Sequence, residues 1–187
     1  MRLTESASSA WIWRAVGCSG LVMLGMWALG LLLGTAFAPV RQLGQSATCQ
    51  ANVFRLARAQ LIYADDYDEK LPVASNWMDR TMSYVVEERR LHCPTVSAQG
   101  ERFYGYAMNP EMDGKARSKI DNPDETPLLY DSVRLEWSAV GLVTSLPVPG
   151  RHHTRARNGS PPKVGNYVGY AAGNARFKAD GKMKSEQ

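Results

Sequence analysis

The chain of 187 residues contains few of the residues from which catalytic and metal sites are usually built. It has three histidines and three cysteines, and neither a CxxC pair nor an HExxH helix is present to indicate a zinc site. A glycine-rich phosphate loop and a serine nucleophile elbow are also missing. His92, His152 and His153 could act as acids or bases, but no motif joins a nucleophile, a base and an orienting group. We therefore predict no enzymatic activity, catalytic residue, cofactor, bound metal or small-molecule substrate.

A large excess of charge of one sign is missing as well. The chain has 22 Lys and Arg and 18 Asp and Glu residues, of which three basic and one acidic residue precede Gln42. From Gln42 onward, 19 basic and 17 acidic residues give a net charge of only +2. A nucleic-acid-binding module normally carries a denser basic face. The main basic cluster is residues 151–157, RHHTRAR, and a short cluster of this kind is typical of a solvated loop. We therefore predict no nucleic-acid partner.

Charged residues are absent from residues 15–38, AVGCSGLVMLGMWALGLLLGTAFA. As a helix this segment would reach about 36 Å, which exceeds the roughly 30 Å of a bilayer's hydrocarbon core. Trp11 and Trp13, in the short flank formed by residues 1–14, lie where indole rings favour the headgroup layer. The pattern predicts one membrane-spanning helix, with membrane lipid as its partner.

A cleaved secretory signal is the alternative interpretation of this segment. Residues 36–38, Ala-Phe-Ala, have the small-x-small pattern of a cleavage site, but signal cores usually have only about 7–15 apolar residues. Pro39 would follow the cut and is expected to hinder it, so we predict a retained anchor. Gly30 and Gly34 have the small-xxx-small spacing that lets a second helix approach, although glycines are also common in membrane helices generally.

We predict that residues 39–177 form one loop-rich domain. We place this domain outside the cytoplasm and the N-terminus of the anchor in the cytoplasm. Cys18 lies within the apolar segment, which leaves Cys49 and Cys93 in the domain. Two cysteines in a domain outside the cytoplasm favour a disulfide, and closing a loop of this length would stabilise the fold by about 4 kcal/mol. Metal binding is the alternative, although no ligand spacing supports it.

The periodicity of residues 46–64 predicts an amphipathic helix. Its apolar stripe contains Phe54, Ala57, Leu61 and Ala64, widened by Val53 and Ile62. The predicted polar face contains Arg55, Arg58 and Gln60. We expect this helix and the anchor to form one long, gently bent rod across Pro39. The acidic residues 65–69 predict a solvated turn, with a calcium site as the alternative because clustered carboxylates suit hard cations.

A second helix is predicted from Asn76, as the N-cap, to about Glu88, with a buried side formed by Trp77, Met78, Met82 and Val85. Residues 103–106 and 127–130 are strand-like, and residues 164–170 and 175–178 predict a hairpin around Gly173 and Asn174. Helices followed by strands predict an α+β fold in which the long helix lies across a small antiparallel sheet. Residues 178–187 are predicted to be a frayed, charged tail.

Several short segments occur in an order that is specific when they are taken together. They are Cys49-Gln50-Ala51-Asn52, LIYADDYDE at 61–69, Cys93-Pro94, Tyr104-Gly105-Tyr106 and ETPLLYDS at 125–132. With the apolar helix and the proline at its outer end, the chain resembles type IV pilins and type II secretion pseudopilins, and most closely the prepilin-like proteins of the DUF1559 (H-x9-DG) kind. The resemblance covers most of residues 39–177. It implies a pilin-like fold and a structural role in a secretion or pilus-like assembly, with other pilin-like subunits as partners of the apolar helix.

The chain departs from this family at two motifs. Members carry a Gly-Phe-Thr-Leu-Ile-Glu-like processing signal, and here Gly17 and Cys18 fall near the expected site without the phenylalanine or the glutamate. The C-terminal signature has Ala172 and Asn174 where the family has Asp and His. The resemblance therefore implies a candidate processing site at Gly17 and Cys18, but neither an intact assembly signal nor an intact C-terminal motif.

The alternative function is an extracytoplasmic binding module that forms no filament. In that case aromatic residues of the domain would contact a ligand or partner, namely Tyr67, Trp77, Tyr104 and Tyr106. Ordinary packing of these rings in the core and against the sheet is the simpler expectation.

Overall fold

The computed structural model describes residues 7–97, 103–155 and 161–180, and it describes side chains from Gly20 onward except that of Leu21. The helices are α1 (Ala7–Asp66), α2 (Trp77–Thr81) and α3 (Pro94–Ser97). The strands are β1 (Tyr106–Met108), β2 (Pro127–Asp131), β3 (His152–His153), β4 (Val164–Tyr170) and β5 (Ala175–Ala179). Contacts divide the chain into two compact units, Met1–Arg41 and Gln42–Gln187.

The described residues of the first unit belong to the N-terminal part of α1. The helix carries Pro39 in its interior and continues to Asp66, so the apolar segment and the predicted amphipathic helix belong to one helical element. Among the described residues it is the one helix that is long and apolar enough to cross a membrane. Its described side chains between residues 20 and 40 are all exposed. Gly17 and Cys18 also lie in α1, in the stretch whose side chains are outside the described set.

In the second unit, α1 packs against the sheet through a face that matches the predicted stripe only in part. The buried positions include Cys49, Val53, Leu56, Gln60 and Ala64, which recur at helical spacing. The predicted stripe residues Phe54 and Ile62 are instead 39% and 47% exposed, and Gln60, predicted to face solvent, is fully buried. The prediction of this face was therefore right for Val53, Ala57 and Ala64, which are buried. It was wrong for Phe54, Ile62 and Gln60, because the pairing of Cys49 and the fit of small residues against β4 set the rotation of the helix.

The close approach of β4 to α1 is possible because position 169 is a glycine. A Cβ added at Gly169 would lie 3.1 Å from Val53 Cγ1 and 3.3 Å from Ala57 Cβ. Separations below about 3.4 Å are tighter than ordinary van der Waals contact between carbon atoms, which lies at roughly 3.5–4.0 Å. The pairing of a glycine in the strand with small side chains on the helix therefore determines how α1 sits on the sheet.

The sheet is antiparallel throughout and has the order β1-β2-β4-β3, with β5 also paired to β4. Since β5 pairs along residues 165–169 of β4, strands β2 and β3 share its opposite edge. The predicted β4–β5 hairpin is confirmed, and Gly173 supplies the positive φ of 81° in its turn. The fold class, a long helix on a small antiparallel sheet, is therefore α+β as predicted.

The remaining strand predictions differ in their limits. The predicted strand at 127–130 is confirmed and continues to Asp131. The predicted strand at 103–106 begins only at Tyr106, because Gly105 has a positive φ of 87° that interrupts the extended backbone. β5 ends at Ala179, and the Asp180 amide donates to the Val164 carbonyl at 2.9 Å. The first residues of the predicted tail therefore belong to the sheet, and residues 181–187 lie outside the described residues.

The predicted second helix is shorter than expected. α2 ends at Thr81, whose hydroxyl donates to the Trp77 carbonyl at 2.7 Å, and a 3-10 turn follows at Met82–Tyr84. Within the described residues Asn76 makes no side-chain capping hydrogen bond, so its predicted capping role was wrong. The buried side was predicted correctly in its main residues, since Trp77, Met78 and Val85 are buried. The Trp77 indole donates to the Ala139 carbonyl at 3.0 Å, which fixes α2 against the following loops.

The acidic segment 65–69 forms an exposed turn at the end of α1. Its first carboxylate, on Asp65, pairs with Arg117, and its second, on Asp66, accepts a hydrogen bond from the Tyr84 hydroxyl at 2.8 Å. Asp68 and Glu69 have positive φ values of 54° and 58° and close the turn. A helix end disfavours carboxylates electrostatically, and here a guanidinium and a phenol stabilise the two that lie on the helix.

Candidate functional site

A disulfide joins the long helix to the segment before α3. Cys49 of α1 and Cys93 are bonded, with Cα atoms 5.3 Å apart and both side chains fully buried. The Cys93 amide donates to the Tyr104 carbonyl at 2.8 Å, and the Cys93 carbonyl accepts from the Val96 amide at 2.8 Å. These contacts hold the sulfur of Cys93 against α1. The loop closed by the bond spans 44 residues, for which the loop-entropy relation gives about 4 kcal/mol of stabilisation.

A buried histidine and a buried aspartate lie next to this disulfide. Asp131 ends β2 and His152 begins β3, and their side chains meet because both strands pair with the same edge of β4. His152 Nε2 is 3.1 Å from Asp131 Oδ2 and 3.8 Å from Cys93 Sγ. The backbone amide of Tyr167 donates to the same carboxylate oxygen at 2.6 Å. His152 is 1% exposed and Asp131 is fully buried, so the pair belongs to the core.

Arg151 closes the cluster on its other side. Its guanidinium donates to the Gly105 carbonyl at 3.1 Å and to the Ser132 carbonyl at 2.7 Å. Burial lowers the pKa of Arg151, while the neighbouring charge of Asp131 acts in the opposite direction, so the group stays a cation. The prediction that residues 151–157 form a solvated loop is therefore wrong for Arg151 and His152. His153 is exposed, and residues 156–157 lie outside the described residues.

Two tyrosines complete the cluster. Tyr106 pairs with Asp131 in the β1–β2 ladder, and burial raises the pKa of its phenol well above the usual value, with the Asp131 charge adding to the effect. The hydroxyl of Tyr167 lies 3.0 Å from the Ser46 hydroxyl, and burial raises its pKa as well. Both phenols are therefore neutral over the physiological pH range.

The cluster does not have the geometry of a catalytic triad. In a triad the nucleophile and the carboxylate contact opposite nitrogens of the imidazole. Here Cys93 Sγ and Asp131 Oδ2 both face Nε2, and within the described part of the chain Nδ1 has no hydrogen-bond partner. Asp131 Oδ1 is likewise buried without a hydrogen-bond partner among these residues. The cluster therefore contains buried polar atoms without hydrogen-bond partners among the described residues, and its geometry does not match that of a proton relay.

The donor atoms in this cluster are of the kinds that bind metal ions. One sulfur from each cysteine and one nitrogen of His152 lie within 4.8 Å of one another, and this is the one such group of three among the described residues. The alternative calcium site at residues 65–69 does not form a comparable group within the same residues. The sequence did not predict this grouping, because His152 is 59 residues from Cys93 and only the strand order brings them together.

An open groove of about 930 Å³ lies where α1 meets the segment before α3. Residues of α1, of the segment from Glu87 to Pro94 and Tyr104 line this groove. They are Thr48, Asn52, Arg55, Glu87, Glu88, Arg89, Arg90, His92, Pro94 and Tyr104. Glu87 pairs with both Arg89 and Arg90, and the hydrogen bond from Arg89 lowers the pKa of Glu87. The groove is therefore polar and carries charges of both signs.

The aromatic residues that could contact a ligand are divided between core and surface. Trp77 and Tyr106 are fully buried, so for them core packing is confirmed. Tyr104 lines the groove and packs edge-on against Trp137, with ring centroids 5.0 Å apart. Tyr67 is 49% exposed and stacks on Tyr63.

The glycines of the predicted helix-packing motif lie on an open surface. A Cβ added at Gly30 or Gly34 would meet no atom of the described residues within 4 Å. Both positions are exposed on α1. The surface needed for close approach of another helix is thus available, and none of the described residues occupies it.

Comparison of the chain with family models, with curated proteins and with solved structures found no match. The pilin-like assignment therefore stays a prediction from short segments of the sequence.

Proposed function

We propose that the protein is a membrane-anchored structural subunit of the pseudopilin type. One observation carries this proposal. α1 is a single helix whose described side chains from residue 20 to residue 40 are exposed and largely apolar, including Trp27 at 68% and Leu32 at 67% exposure. Exposing apolar surface to water costs about 25 cal/mol per Å². A bilayer removes that cost, and the helical stretch from residue 20 to residue 40 has the length that a single crossing needs.

The disulfide supports a location of the domain outside the cytoplasm. Disulfides persist in oxidising compartments and are rare in the cytosol, and the Cys49–Cys93 bond joins two segments of the domain core. We place the N-terminus in the cytoplasm and the unit from Gln42 onward in the periplasm or at the cell surface. The role is structural, and the proposal assigns no enzymatic activity to the chain.

The proposed partners are membrane lipid and the apolar helices of other pilin-like subunits, in a type II secretion or type IV pilus-like assembly. The exposed Gly30 and Gly34 support such packing, because small residues let helix backbones approach closely. The second candidate is a single-pass binding module outside the cytoplasm that does not assemble. The groove of about 930 Å³ beside Tyr104 and His92 favours that alternative.

Protein sequencing of the N-terminus, done on the protein from the membrane fraction, tests the anchor. A start at Cys18 supports prepilin-like processing, and a start at Met1 or Arg2 supports an unprocessed anchor. A start near Pro39 would indicate secretion and would overturn the proposal. Protease added to spheroplasts should digest the domain while a cytoplasmic control protein stays intact. A full-length protein dissolved in the cytosol, with Cys49 and Cys93 both reduced, would contradict the proposal altogether.

A further inference from the structure

The core beside the disulfide contains four side chains with metal-binding donor atoms. Three of them, Cys49, Cys93 and His152, lie within 4.8 Å of one another through one donor atom each. The fourth, Asp131, has its Oδ2 3.1 Å from His152 Nε2. All four residues are buried. We propose that reduction of the disulfide converts this cluster into a zinc site with two cysteine thiolates, the imidazole of His152 and the carboxylate of Asp131 as ligands.

Two separations between the proposed ligands are close to those that a tetrahedral zinc ion requires. Zinc binds cysteine sulfur at about 2.3 Å and histidine nitrogen or carboxylate oxygen at about 2.0 Å. Across a tetrahedral angle these lengths place sulfur about 3.5 Å from nitrogen, and nitrogen about 3.3 Å from oxygen. The observed separations are 3.8 Å from Cys93 Sγ to His152 Nε2 and 3.1 Å from that nitrogen to Asp131 Oδ2. Binding of the ion also requires the two sulfurs to separate after their bond is broken.

The proposed ligands are held in the core by other contacts of the domain, so their side chains already lie together before any metal binds. Cys49 lies on the long helix α1, and Asp131 is held by the Tyr167 amide at 2.6 Å. Two thiolates and one carboxylate exceed the charge of a zinc ion by one negative charge. The guanidinium of Arg151 balances it, since it interacts electrostatically with Asp131 and donates to two carbonyls nearby. A buried metal centre without such a balance would be costly.

The conversion needs two electrons and no further chemistry. A dithiol reductant transfers two electrons and two protons to the Cys49–Cys93 bond, which becomes two thiols while the reductant becomes a cyclic disulfide. Each thiol then releases its proton as its sulfur binds zinc, because the thiolate is the ligand. In an oxidising compartment the disulfide persists and leaves no thiolate for the metal. The same core therefore has a covalent state and a metal-bound state.

The test uses the full-length protein in detergent with the substitution Cys18→Ser, which removes the third thiol. One half is kept oxidised, and the other is reduced with dithiothreitol and freed of reductant anaerobically. Cobalt(II) is then added as a spectroscopic probe and displaced with zinc. We expect the reduced protein to bind one cobalt per chain, with the visible bands of a tetrahedral ion and a thiolate charge-transfer band. The oxidised protein should show neither.

Two single substitutions distinguish cobalt binding by the proposed four-ligand site from cobalt binding by the two reduced cysteines alone. His152→Ala should weaken cobalt binding by at least about tenfold, the size of effect that loss of an interaction at a metal site produces. His153→Ala is the matched control and should bind as the parent does, because the His153 side chain is exposed. Near-ultraviolet circular dichroism records whether the reduced chain stays folded. A reduced protein without the thiolate band, folded or not, overturns the proposal, and so does equal binding by the His152→Ala variant. Neither result bears on the membrane anchor.

Discussion

Gln60 is the most unusual residue in the interface between α1 and the sheet. Its side chain is fully buried, and among the described residues neither its amide nitrogen nor its amide oxygen has a hydrogen-bond partner. A buried polar group without a partner costs about 1–3 kcal/mol. Methionine is unbranched, similar in length and free of strong donors or acceptors. We therefore expect Gln60→Met to raise the free energy of unfolding by about 1–3 kcal/mol.

Thermal unfolding of the full-length protein in detergent, followed by near-ultraviolet circular dichroism, measures this effect. Each kcal/mol should raise the Tm by about 2–4 °C for a chain of this size. Gln50→Met is the matched control, because Gln50 is exposed on the same helix and its replacement should change stability by less than about 0.5 kcal/mol. A Gln60→Met protein that is less stable than the parent by 1 kcal/mol or more would refute the reasoning, since the amide would then have a partner.

Three further predictions concern other parts of the domain. Cys93→Ser should lower the free energy of unfolding by about 4 kcal/mol under oxidising conditions, whereas urea unfolding under reducing conditions should show a much smaller difference from the parent. Gly169→Val should destabilise the fold by about 1–3 kcal/mol in the same assay, because the new side chain would overlap Val53; an unchanged midpoint would contradict the close approach of β4 to α1. The hydrogen bond to Asp66 raises the pKa of Tyr84 to about 12. The contribution of this hydrogen bond to stability is therefore complete below pH ~10, the ordinary pKa of tyrosine, and is lost as the pH rises to about 12. Asp66→Asn should move the Tyr84 titration, followed by NMR of labelled tyrosine, back towards the ordinary value, and an unshifted titration would argue against the bond.

The elements predicted well from the sequence are those that local chemistry determines. The β4–β5 hairpin follows from a glycine that adopts positive φ between two alternating segments, and the apolar run in α1 follows from composition alone. Both signals lie within a few neighbouring residues. The disulfide was predicted from the number of cysteines and the assumed compartment, and the structure brings Cys49 and Cys93 together.

The features that were missed depend on distant parts of the chain. Helical periodicity indicates that α1 has a buried face, but the same periodicity fits a face containing Phe54 and Ile62 or one containing Leu56 and Gln60. The choice is made by Cys93 and by Gly169, which are far from α1 in sequence. In the same way, Asp131 and His152 come from separate strands, and no local pattern relates them.

The buried polar cluster explains how a strand of two residues keeps its place. β3 consists only of His152 and His153, and its ladder with β4 contains two residue pairs. Side chains supply the remaining attachment, since His152 contacts Asp131 of β2 and the Ser46 hydroxyl of α1 donates to the His153 carbonyl at 3.1 Å. Arg151, just before the strand, binds two carbonyls in other segments. A short strand gains little from its backbone hydrogen bonds, so polar side chains at this position connect the helix, the sheet edge and the disulfide in one buried set of contacts.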